Sequence, residues 1–80
     1  MTRLPMISAQ KLIQKLLKAG FQDAPKRGKG SHRALIRYDE NESSHLVIIP
    51  LRDPIPKGTL LSIIKQSGLT RDEFLKLIGK

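Results

Sequence analysis

No cysteine occurs in the 80 residues. That excludes a disulfide framework and any thiolate-held metal, two devices that staple chains this short. Aromatics are limited to Phe21, Tyr38 and Phe74. A core must therefore come from Leu and Ile, each worth roughly 1.5–3 kcal/mol when fully buried. No apolar run approaches the ~18–20 residues of a membrane span, and no basic-then-apolar leader opens the chain. The expectation is one soluble, cytoplasmic domain over residues 1–80, with no room for a second core and no membrane partner.

Negative charge is nearly missing from the first half. Residues 1–37 hold nine Lys/Arg against Asp23 alone, whereas residues 38–80 hold six of each sign. The whole formal charge of +8 therefore sits before Tyr38. So lopsided a field concentrates polyanions at the basic half and speeds their capture. Nucleic acid or an acidic protein is the partner class it favours. A membrane surface is disfavoured, because no aromatic-rich apolar face lies opposite the basic residues.

Ser8 can cap a helix whose Ala9, Leu12, Ile13, Leu16 and Leu17 recur at helical spacing, with Gly20 as its stop. Residues 21–24 read as a short edge strand, since Pro25 is tolerated there and not in a central strand. "SHRALIRY" and "HLVIIPL" are two strands joined by the polar "DENES" turn, and Pro50 marks an edge or the end of pairing. "DPIPKG" reads as a stiff loop. "TLLSIIKQSG" predicts a second helix ended by Gly68, and Thr70 with Glu73 forms a capping box for a third. The order α-β-β-β-α(-α) predicts an α+β fold with a three-stranded antiparallel sheet packed on helices by one face.

The stretch "KRGKGSHRAL" carries the chemistry. His32 follows Lys26, Arg27 and Lys29 and precedes Arg33. Imidazole, with a reference pKa of about 6.5, exchanges protons near neutral pH. It can take a proton from a ribose 2′-hydroxyl or give one to a leaving 5′-oxygen, a role worth roughly 10²–10⁴-fold. RNA brings its own nucleophile, so one imidazole suffices without metal or cofactor. Gly28 and Gly30 let a phosphate approach the backbone, and Ser31 adds a hydroxyl donor. Strict alternation, however, groups His32 with Ala34, Ile36 and Tyr38, apart from Arg33, Leu35 and Arg37. That is the more apolar side, where the imidazole reads as an edge-of-core histidine unless a bulge at Gly30–Ser31 re-aims it.

Competing motifs are weaker. His32 and His45 have no third ligand at metal spacing, so no metal is expected. No helix follows the glycines to make a nucleotide-binding loop. Asp39, Glu40 and Glu42 read as a solvated turn. The helix–Gly–helix at 63–78 has a helix-turn-helix look, but Asp72 and Glu73 would face DNA with the wrong sign.

These residues taken together resemble the HicA toxins, also called the YcfA-like family. The likeness runs through "AGF" at 19–21, Gly30-Ser31-His32, Lys57-Gly58-Thr59-Leu60 and Gln66-Ser67-Gly68-Leu69-Thr70. It implies a fold like the double-stranded RNA-binding domain and an mRNA-cleaving toxin whose catalytic histidine falls on His32. It also implies a HicB-type antitoxin as partner, with DNA engaged only through that antitoxin. Many members carry Pro-x-His after the third strand; this chain has Pro50-Leu51-Arg52. Arg52 cannot exchange protons, although it can hold a phosphate.

The expected activity is thus metal-independent endoribonuclease action on mRNA, with His32 as general acid or base. Lys26, Arg27, Lys29, Gly30, Ser31, Arg33, Arg37 and Arg52 are the expected RNA contacts. A non-catalytic RNA-binding module of the same fold is the rival, binding by shape and phosphate contacts with steep salt dependence.

Overall fold

The structure, a computed structural model, describes residues 4–79. Of the domain expected over 1–80, residues 1–3 and 80 lie outside the described residues. The first helix, α1, spans Ala9–Lys18, and the Ser8 hydroxyl accepts the Lys11 N–H at 3.2 Å as its cap. Its stripe of Ala9, Leu12, Ile13 and Leu16 is buried, while Leu17 is left 38% exposed against expectation. Gly20 takes a φ of 105°, a left-handed conformation that suits glycine, and turns the chain into the sheet.

Strands β1 (Gln22–Asp23), β2 (His32–Tyr38) and β3 (Ser44–Pro50) form one antiparallel sheet in that order. Leu35 pairs with Val47 and Arg33 with Ile49. Leu35, Val47 and Ile49 are fully buried against the helices, so their side of the sheet is the covered one. β3 is an edge strand. The Ile48 N–H faces away from β2 and donates to the Gln66 side chain at 2.9 Å. Two residues on, Pro50 lacks an N–H at the equivalent outward position, so no ladder bond is lost.

Helix α2 covers Lys57–Ser67, two residues earlier than the sequence pattern predicts, because Pro56 already has a φ suited to entering a helix. The expected "DPIPKG" loop is shortened accordingly. Gly68 closes α2 in the left-handed conformation at φ 76°. The capping box of α3 (Arg71–Gly79) forms as read: Thr70 N–H donates to Glu73 Oε1 at 2.8 Å, and Glu73 N–H to Thr70 Oγ1 at 3.1 Å. Phe74 and Ile78 carry α3 into the shared core, while Leu75 and Leu77 are only half-buried. No helix among the described residues is long and apolar enough to cross a membrane.

The β2–β3 turn is organised by one carboxylate. Asp39 accepts a 2.8 Å hydrogen bond from His45 Nε2 and backbone N–H bonds from Asn41 and Ser43. The His45 bond first, then the Ser43 N–H, hold its carboxyl below the usual aspartate range. A depressed folded-state pKa stabilises above the ordinary aspartate range and stops doing so as pH falls through the lowered value. Asp39→Asn is therefore expected to melt lower than the parent at neutral pH. The gap should close in acid, as followed by thermal unfolding against pH.

Candidate nuclease site

His32 opens β2, where a tight hairpin delivers it. His32 N–H donates to Lys29 O at 2.7 Å and Lys29 N–H to His32 O at 3.1 Å, with Gly30 and Ser31 at the turn. The pairing continues on the other side, where Leu51 N–H donates to Ser31 O at 3.0 Å. The backbone that carries the imidazole is thus held on both flanks.

Alternation from Leu35 sends His32, Ala34, Ile36 and Tyr38 to the face turned away from the helices. His32 is exposed. The grouping expected from alternation holds, but the inference drawn from it does not. The more apolar side of β2 is the one the helices leave uncovered, where the 24–28 loop closes over Ala34 but not over His32, and no bulge is needed to expose the ring. The core side is the one carrying Arg33 and Arg37, whose long side chains leave Leu35 between them to be buried.

Ser31 Oγ and His32 Nδ1 stand 3.0 Å apart, and no other side chain among the described residues bonds the ring. A hydroxyl can donate or accept, so Ser31 steadies the ring in either proton state. Nε2 makes no hydrogen bond among the described residues. Ser31 and His32 share a cleft of about 450 Å³ with Pro50, Leu51, Arg52 and Thr59. Arg52 is exposed in this cleft beside His32. Thr59 lies in the first turn of α2, which has no side-chain cap and no acidic residue, so its N-terminal dipole adds positive potential.

A second hollow places Lys29, Gly30 and Arg33 around His32 from the loop side. The two glycines differ in kind. A Cβ on Gly28 would come within 3.1–3.2 Å of the Ala34 N and His32 O atoms, so Gly28 lets the loop pack tightly on β2. A Cβ on Gly30 would meet nothing within 4 Å, and Gly30 is not among the positive-φ residues. Nothing in the chain demands glycine there.

The predicted contacts therefore divide. Lys29, Gly30, Ser31, Arg33 and Arg52 border the His32 hollows, with Lys26 and Arg27 exposed on the adjoining loop. Arg33 is partly engaged, its Nε donating to Asp23 at 3.2 Å. Arg37 is not brought to the site: on the covered face, its Nε donates to Ser67 O at 2.8 Å, holding the end of α2. Leu51 and Thr59 were not singled out in the sequence. Their nearness to His32 depends on the Ser31–Leu51 pairing and on where α2 starts.

A family model described as "HicA toxin of bacterial toxin-antitoxin" matches residues 9–69, from the first residue of α1 to just past α2. The chain belongs to the HicA toxin family. It is accordingly a toxin of a toxin–antitoxin system, with an antitoxin as its partner. The match takes in the whole sheet and every residue of the His32 hollows, and leaves α3 outside it. No curated protein matches this HicA-family chain.

Proposed function

We propose that this HicA-family toxin is a metal-independent endoribonuclease that cuts mRNA in the cytoplasm, using His32 as its proton carrier. The observation that carries this reading is the exposed imidazole, braced at Nδ1 by Ser31 and sharing a cleft with Arg52. In the forward step, His32 Nε2 takes the proton of a ribose 2′-hydroxyl. The 2′-oxygen bonds to the adjacent phosphorus, and the bond from phosphorus to the 5′-oxygen breaks. The leaving oxygen is protonated by the imidazolium or by water. Fragments ending in a 2′,3′-cyclic phosphate and a 5′-hydroxyl follow from that balance. Arg52 and Lys29 lie where they can offset charge on the phosphoryl oxygens.

Inhibition follows from the same surface. An antitoxin of HicB type that covers His32 and neutralises Lys26, Arg27 and Lys29 stops the reaction without altering the fold. DNA enters only through such a partner.

Purified protein incubated with RNA in chelator tests the reading. Cutting that persists in chelator supports it; intact RNA with salt-sensitive binding supports a binding module instead. Gly30 gives a sharper check. Gly30→Ala is expected to keep its melting stability within about 0.5 kcal/mol, because its methyl meets nothing in the chain. Cleavage should nevertheless fall roughly tenfold, because that methyl stands where the scissile phosphate must approach. Equal cleavage rates would remove Gly30 from the site.

A further inference from the structure

Three hollows meet at one residue. Leu51, 53% exposed, borders the His32 cleft, the Lys29–Gly30 hollow and a third cleft between α1 and the 51–53 turn. That third cleft, about 510 Å³, also shares Arg52 with the first and Arg33 with the second. Ligand sites typically occupy roughly 300–1,000 Å³, with apolar walls and few polar groups. Here the apolar walls are Leu17 and Leu51, both exposed large apolar side chains, with Ile13 beneath. The polar lining comprises Ser8, Asp53, Arg33, Arg52 and the amides of Gln10 and Gln14, these two one turn apart on the exposed face of α1. Neither amide is used in a hydrogen bond among the described residues, unlike that of Gln66.

We propose that this α1 cleft takes up one unpaired nucleobase of the RNA whose backbone lies at His32, with Gln10 and Gln14 reading the base edge. The proposal rests on the ribonuclease reading of His32 and adds the origin of sequence preference. An amide offers a donor and an acceptor side by side, the pairing that suits base edges. Leu17 and Leu51 supply faces for the flat ring, and Arg33 and Arg52 supply positive charge toward the linking phosphates. Continuity with the His32 cleft through Leu51 and Arg52 argues for a nucleotide of the same strand over a separate ligand. A duplex could not present a base this way, so the substrate is unpaired at the cut.

Two measurements on the full chain test this. In His32→Ala protein, side-chain amide NMR signals of Gln10 and Gln14 should shift when short unpaired RNA is added, and differ between base compositions. In otherwise wild-type protein, Gln14→Ala should lower the ratio of cleavage at preferred over disfavoured nucleotides by roughly tenfold, read by end mapping. Gln14 is exposed, so the variant folds. Amide signals that ignore RNA, or a preference unchanged in Gln14→Ala, overturn the site. So do amide signals that respond to the antitoxin alone. If the parent never cuts RNA yet the amides respond to it, the nuclease reading fails and the base site stands.

Discussion

His32→Ala is expected to reduce RNA cleavage by at least ~100-fold, the lower end of what a positioned proton carrier contributes. The carboxylate that shares a hollow with His32, Asp23, is tied to Arg33 at 3.2 Å. Arg52 and Lys29 supply positive charge beside the ring, and Ser31 contacts it at Nδ1. The same substitution should leave melting nearly unchanged, since the ring is exposed and its hairpin is held by backbone bonds. Growth arrest on expression should vanish with cleavage. Ser31→Ala, by contrast, is expected to slow cleavage only in part, because it loosens the ring without removing the carrier.

Gly68→Ala should cause the larger loss of stability, roughly 2–4 kcal/mol by urea unfolding. A left-handed φ of 76° costs a residue with a Cβ about 1–2 kcal/mol. The added methyl would also overlap the His45 ring. That ring cannot swing freely, because its Nε2 is bonded to Asp39 at 2.8 Å. For a domain whose total stability is of the usual order of 5–15 kcal/mol, the change is severe. In a His45→Ala background the penalty should shrink toward the backbone part alone. A loss below about 1 kcal/mol in the parent would contradict the packing described here.

What could be read from the sequence was local. Ser8 at the head of α1, the Thr70–Glu73 box, the polar hairpin turn and the glycines ending two helices are each set by neighbours within a few residues. Which side of the sheet the helices cover was not legible. Alternation sorts β2 into two sets, but Ala34 and Ile36 look at least as apolar as a set holding Leu35 between two arginines. The answer lies in packing against α1, α2 and α3, which no period-two pattern contains.

Arg37 shows the same limit. Counted by charge it belongs with the basic loop, yet its partner is a carbonyl thirty residues away. The His32 element stands out in the sequence because an imidazole among glycines and cations has few local structural reasons. Its exposure, the brace from Ser31 and the company of Leu51 and Thr59 needed the fold.

The most direct measurement is the chemistry of the RNA ends produced by purified protein in the presence of chelator. The account predicts 2′,3′-cyclic phosphate and 5′-hydroxyl termini from the parent protein and no new termini from His32→Ala. RNA left whole by the parent, or the same termini produced at the same rate without His32, would contradict it.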